Sequence, residues 1–220
     1  MVSTKAKNRI SANGHANGEA AKVVPLKKLN VQTFSVTIRG LTPLVVHRFG
    51  EKARKVIESK GDGKPKEKRG PRSPVEDYKS AFYVISGEPG TKSARYGIPA
   101  SGIKKAMVAA CAFVDGIAMT FARGAFHVLE DAAGLVELKY KSVSMRSDIV
   151  RLNTIGNPPD MRYRPEFKDW SATVRIMFNA TVITPEQIVD LLSVAGFHIG
   201  LCEYRPQKNG SWGTFEVVSQ

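Results

Sequence analysis

The stretch that decides the fold is Ala172–Val218, ATVRIMFNATVITPEQIVDLLSVAGFHIGLCEYRPQKNGSWGTFEVV. It opens with apolar and polar residues in alternation from Ala172 to Thr181, the period of a half-buried strand. Thr184-Pro185-Glu186-Gln187 is a capping box with proline at the first helical position, which predicts a helix over 185–195. Gly196 supplies a left-handed stop for that helix. Phe197–Tyr204 and Thr214–Val218 then read as paired strands around the loop RPQKNGSWG. Strand, helix, strand, strand in this order predicts an α+β domain. Its sheet is largely antiparallel, with helices on one face.

Toward the N-terminus the same periods recur. Phe34, Val36 and Ile38 alternate with polar residues in a strand that starts at Val31 and stops at Gly40. The segment LTPLVVHRFGEKARKVIES turns at Pro43, runs extended, and becomes helical from about Gly50. Ser73-Pro74-Val75-Glu76 is a second capping box. It predicts a helix to about Tyr83, with Tyr78 and Phe82 on one face. Pro99 forces an extended entry to a helix over Ile103–Phe113, with Ser101 as its cap and Lys104 and Lys105 in its first turn. Cations there oppose the helix dipole, and an anion bound at the helix N-terminus would offset that cost. Residues 117–145 read as strands, and Arg146–Lys168 as an irregular, basic, proline-containing segment. Residues 1–30 lack any apolar period and read as a disordered basic arm. Residues 31–220 read as a single domain with insertions at about 60–72 and 146–168, the first a charged Gly/Pro-rich loop.

The net charge is +13 and the isoelectric point is near 9.8. A basic excess of this size points to a polyanionic partner. Cys111 and Cys202 stand far apart without a CxxC pair, which argues against a disulfide scaffold and a cysteine-rich zinc site and fits a reducing cytoplasm. The N-terminus has no apolar signal region, and no apolar run approaches the ~20 residues needed to span a bilayer. A cytoplasmic protein with no membrane partner is therefore expected. GEPGTKS at Gly87–Ser93 lacks the spacing of a phosphate-binding loop for nucleotide hydrolysis. None of the histidines has the spacing of a helical metal site, and no carboxylate cluster suits two metals. No cofactor is expected.

The basic residues fall in patterns. Arg146, Arg151, Arg162, Arg164 and Arg205 are arginines, whose planar fork suits phosphate and stacks on bases. Tyr163 lies between Arg162 and Arg164, and Tyr204 adjoins Arg205. Aromatics interleaved with arginines suit single-stranded nucleic acid, whose unpaired bases are free to stack. In the terminal loop, Gly200, Gly210 and Gly213 would let main-chain amides approach an anion, with Arg205 and Lys208 beside them. His47 and Arg48 follow the Pro43 turn. There a histidine either contacts phosphate or acts as a general base next to a cation.

Three patches resemble, in family order, the RAMP superfamily, the ferredoxin-like RNA-binding proteins of CRISPR effector complexes. They are LTPLVVHRFG (Leu41–Gly50), YGIPASGIKKAM (Tyr96–Met107) and GLCEYRPQKNGSWGTFEV (Gly200–Val217). The second is similar to that superfamily's IPGSSLKGALR-like motif, with Ala100-Ser101-Gly102 where Gly-Ser-Ser is usual and Lys105 where glycine is usual. The third is similar to its C-terminal glycine-rich loop. The resemblance implies a modified ferredoxin-like (RRM-like) fold with inserted thumb-like loops, closest to the backbone subunits that oligomerise along guide RNA. Arg146–Lys168 would then belong to the thumb or to an adjoining RNA-facing loop.

The resulting expectation is a non-catalytic subunit that binds RNA, or single-stranded nucleic acid, and copies of itself. Its contacts would be His47, Arg48, Lys104, Lys105, Arg146, Arg151, Arg162, Tyr163, Arg164, Arg205 and Lys208. Two other readings are an endoribonuclease of the same superfamily with His47 as base, and a structural or inhibitory module whose basic face binds a protein.

Overall fold

The computed structural model describes residues 28–50, 58, 73–152 and 156–218. Most of the N-terminal arm, the helix expected from Gly50 and the loop at 60–72 lie outside the described residues.

Strand β1 (Val31–Gly40) is central. It pairs antiparallel with β9 (Ser171–Asn179), in register from Val31 opposite Asn179 to Arg39 opposite Ser171. Its other edge pairs antiparallel with β10 (Phe215–Val218). β9 in turn pairs with β5 (Phe126–Leu129) and, further along, with β6 (Leu135–Lys139). The sheet continues from β6 through β4 (Arg95–Pro99) to β3 (Val84–Ser86). Two helices complete the unit, α2 (Ala100–Ala110) between β1 and β5 and α4 (Pro185–Val194) between β9 and β10. The chain order β1, α2, β5, β9, α4, β10 with the spatial order β10-β1-β9-β5 is the split βαβ arrangement of a ferredoxin-like fold. The α+β class and the antiparallel sheet are therefore as predicted.

The sheet has one covered face. In β9, Ala172, Val174, Ile176 and Phe178 are buried, while Thr173 and Arg175 between them are exposed. In β1, Val36 and Ile38 point the same way. Helices α2 and α4 touch each other, and touch β5 and β10 respectively, so they roof that face. Ile103, Met107, Ile188 and Leu192 are their inward side chains. Each fully buried side chain of this size stabilises the fold by roughly 1.5–3 kcal/mol.

Several local expectations hold and several do not. Helix α1 (Pro74–Ser80) begins with Ser73 Oγ accepting from the Glu76 amide at 3.3 Å. Tyr78 and Phe82 meet edge to face at 4.9 Å. Both halves of the capping box at Thr184 and Gln187 are formed. Helix α2, by contrast, starts at Ala100 directly after Pro99. No side chain caps it, and Ser101 lies exposed in its first turn. A short helix, α3 (Met119–Ala125), occupies part of the segment read as strands; it has no capping side chain and no apolar stripe long enough to announce itself.

The largest correction concerns Arg146–Lys168. It is not irregular. It forms most of a hairpin, β7 (Ser142–Arg151) and β8 (Pro159–Lys168), in unbroken register from Ser142 opposite Lys168 to Arg151 opposite Pro159. With β2 (Leu44–Val45) it makes a second sheet of order β2-β8-β7. The alternation that builds it runs between charge and apolarity. Arg146, Asp148, Arg162 and Arg164 share one face, while Met145, Ile149, Met161 and Tyr163 share the other.

The second correction is in the terminal segment. After α4 the chain makes a wide π-type turn over Ala195–Ile199, which ends at Gly200 with φ of +68°. Phe197–Tyr204 is therefore not a strand, and β10 pairs with β1 rather than with it. Gly196 is needed for a different reason from the one read in the sequence: a Cβ there would run into the Phe215 carbonyl.

Candidate nucleic-acid interface

A cleft of about 350 Å³ opens where the start of α2, the residues after β2 and the terminal loop meet. His47 and Tyr83 form one side. Ile98, Pro99, Gly102, Lys105 and Ala106 form another, and Gly200, Leu201, Cys202, Arg205 and Gln207 close it. Residues scattered over most of the chain thus converge there.

The terminal loop is shaped by its backbone. Gly200, Cys202, Tyr204, Asn209 and Gly213 all have positive φ, between +54° and +68°. Each such non-glycine residue costs roughly 1–2 kcal/mol. The loop is held against that cost by Leu201 N–H to Gly213 O at 2.9 Å, Gly213 N–H to Pro43 O at 2.9 Å and Glu203 N–H to Val45 O at 2.9 Å. A Cβ at Gly210 would collide with the Tyr204 carbonyl, and one at Gly213 with the Leu201 carbonyl. These glycines let the loop fold onto itself. The close approach predicted for an anion is, on the Cβ side, taken by the chain's own backbone.

This folding sends neighbouring side chains apart. Arg205 lines the cleft, its guanidinium donating to the Cys202 carbonyl at 2.7 Å and to Gln207 Oε1 at 3.2 Å. Both partners are neutral, so its charge is directed but not cancelled. Tyr204 turns toward the hairpin, where its hydroxyl meets the Arg164 guanidinium at 2.6 Å. Lys105 is exposed and has no ion pair among the described residues. The first turn of α2 contains no acidic residue. Positive charge at that end of the helix is therefore left open to an anion.

His47 is half-buried and keeps its pKa below the usual value. Burial is the main cause; Glu203 works against it, and Arg162 and Arg164 add to it. The imidazole is neutral at neutral pH. Burial also pushes the Cys202 thiol up to about 12, so it remains protonated.

The hairpin arginines are arranged differently. Arg164 is 3% exposed and touches Asp148 at 3.2 Å and Glu203 at 3.5 Å. Arg146 pairs with Asp148 at 2.8 Å and Glu166 at 3.1 Å, and its guanidinium lies 3.7 Å from the centre of the Trp212 ring. Arg162 pairs with Asp160 at 2.7 Å. Arg164 through Glu203 and Tyr204, and Arg146 through Trp212, join the hairpin to the terminal loop.

The remaining predicted contacts are dispersed. Lys104 turns to His127 on β5, with Nζ and Nδ1 3.3 Å apart. Arg48 lies beside Tyr83, its amide bonded to the Ala81 carbonyl at 2.9 Å. Arg151 is exposed at the far end of β7, Lys208 is exposed in the turn Pro206–Lys208, and Tyr163 is half-buried on the apolar side of the hairpin. Of the predicted set, the cleft brings together His47, Lys105 and Arg205.

Sequence reading missed Gln207, which steadies Arg205, and the carboxylates Glu166 and Glu203. In the hairpin register Asp148 falls opposite Arg162, on the same face as Arg146 and diagonal to Arg164. Among the described residues no group of three or more His, Cys, Asp or Glu side chains is placed to hold a metal ion. No helix among them is long and apolar enough to cross a membrane.

No protein-family model matches this chain, and no curated protein matches it. Among solved structures, the crystal structure of Cmr6 from Pyrococcus furiosus aligns with 87% of this chain and 100% of its own, at 11% identity and a TM-score of 0.43.

Proposed function

We propose that this protein binds RNA or another single-stranded nucleic acid without cleaving it, as a RAMP-type subunit that assembles with copies of itself along the strand. One observation carries the reading. The three patches that resemble the RAMP superfamily each contribute to the same cleft: His47 from the first, Pro99, Gly102 and Lys105 from the second, Gly200, Leu201 and Arg205 from the third. Backbone hydrogen bonds from Gly213 to Pro43 and from Glu203 to Val45 bring the first and third together, and the hollow left between the patches is lined by the cations Lys105 and Arg205. The net charge of +13 supports the same partner.

The test is the affinity for a fluorescent single-stranded RNA across a salt series. Log affinity should fall linearly with log salt, by about 0.7 per phosphate neutralised. Lys105→Ala with Arg205→Gln should weaken binding about tenfold or more and lower that slope by roughly 1.4, one contact each. An affinity indifferent to salt, or a double variant equal to wild type, would count against the cleft. Assembly along the strand is read by solution scattering: the particle should grow with RNA length.

A second reading has one point in its favour. A half-buried, neutral His47 beside Arg162 and Arg164 is in the protonation state of a general base. RNA cleavage by the intact protein that vanishes in His47→Ala would replace the non-catalytic reading with this one.

A further inference from the structure

The end of α2 away from the cleft carries an aromatic group that the cleft does not use. Phe113 ends the turn Cys111–Phe113 that extends α2, and it is 55% exposed. The His198 ring stacks on it, with centroids 4.3 Å apart and planes within 13°. Phe197, 68% exposed, stands edge-on to His198 at 5.0 Å and 82°. Three rings are therefore held in fixed mutual orientation at the surface, in water.

Their position is set by the elements that build the cleft. Phe197 and His198 belong to the turn Ala195–Ile199, and the cleft-lining residues Gly200, Leu201 and Cys202 follow directly. Along α2 and the turn that extends it, Lys105, Ala109 and Phe113 follow at four-residue intervals. Lys105 lines the cleft at one end of this row. The axial distance to Phe113 is about 13 Å by helical rise. Three or four stacked nucleotides span that length at ~3.4 Å each.

We propose that Phe113, His198 and Phe197 form a stacking platform for an unpaired nucleobase of the strand held in the cleft. The inference rests on the nucleic-acid reading above and deepens it: the cleft holds phosphate and the platform holds a base. Rings explain the surface better than a protein-covered patch does. An exposed stacked pair has flat faces, and every base has a matching one, whichever sequence is bound. The charge is complementary as well. Lys105, at the cleft end of the same row, is placed for a phosphate about three or four nucleotides from the stacked base.

The test compares a fluorescent twelve-nucleotide oligoadenylate with an abasic strand of equal length. The proteins are wild type, Phe197→Ala, Phe113→Leu and His198→Ala. All three rings are exposed, so the variants should melt at the wild-type temperature, which circular dichroism checks. Phe197→Ala and His198→Ala should weaken oligoadenylate binding about tenfold, within what one stacked base contributes. Phe113→Leu keeps the bulk but removes the ring and should weaken it less. The salt slope should not change in any of them, because no phosphate contact is lost. The abasic strand should bind all four proteins alike.

The outcomes separate the two ideas. If wild type binds oligoadenylate, Lys105→Ala weakens it and the three ring variants do not, the platform is wrong and the cleft stands. If wild type binds neither strand, both fail. If the ring variants keep wild-type affinity but abolish self-association in sedimentation, the surface joins two copies of this chain and the base proposal is overturned.

Discussion

The hairpin β7–β8 and the cleft hold the same kinds of side chain to opposite ends. On the hairpin, Arg146, Arg162 and Arg164 stand among Asp148, Asp160, Glu166 and Glu203, at ion-pair distances of 2.7–3.5 Å. In the cleft, Arg205 is held by a carbonyl and an amide, and Lys105 has no carboxylate among the described residues. A guanidinium already matched to carboxylates gains little from a phosphate, because the exchange costs the existing pair. A guanidinium oriented by neutral groups keeps its charge for a ligand. Arginine content therefore does not locate a polyanion site; the partners of each arginine do.

The largest effect expected from this contrast is at Asp148. It is the shared partner of Arg146 and of the buried Arg164. Asp148→Ala leaves the buried Arg164 with only the longer contact to Glu203 and the Tyr204 hydroxyl, and Arg146 with only Glu166, a loss of about 2 kcal/mol. Denaturant titration should show that loss, while RNA affinity of the folded fraction changes little. If Asp148→Ala instead strengthened RNA binding with stability intact, the hairpin arginines would be ligand contacts held in reserve, and the contrast would fail. Trp212→Ala comes next. It removes the ring under Arg146 but leaves both carboxylates. A loss of about 1 kcal/mol is expected for a partly exposed cation–π contact, again with RNA affinity near wild type.

The two regions also differ in how well the sequence reveals them. The ferredoxin-like half is written in apolar period and caps. β1 and β9 show their alternation, and Thr184 with Gln187 closes its capping box as read. The hairpin was hidden because its strand period alternates charge with apolarity, and because Pro158, Pro159 and Pro165 look like breakers. Pro159 opens β8, and Pro165 lies where β2 has ended. The terminal segment misled for a different reason. Glycines that look permissive for φ, such as Gly196 and Gly210, answer to close backbone approach from residues distant in sequence or folded back on the loop. At the candidate site, Arg205 and Lys105 were legible as cations in glycine-rich or helix-start settings. That Lys104 would turn to His127, one residue from Lys105, depends on helix rotation against β5 and cannot be read from a Lys-Lys pair.

The smallest effect tests the contrast by pH. His47 has its pKa lowered in the folded protein, chiefly by burial. The folded state therefore binds fewer protons there than the unfolded state does. Its contribution is fully present above the ordinary histidine value near 6.5 and is lost as pH falls through the lowered folded pKa. A bound phosphate acts in the opposite direction: it favours the imidazolium, raises the pKa again, and so is itself bound more tightly as pH falls below 6.5. The two signs can be separated in one experiment. Without RNA, stability should decline on acidification from pH 7 to 5.5, and His47→Gln should flatten that part of the decline. With RNA, affinity should rise over the same interval in wild type and stay level in His47→Gln. A wild-type affinity that does not rise would mean that the strand's phosphates lie away from His47, and the cleft would lose the side that Leu41–Gly50 contributes.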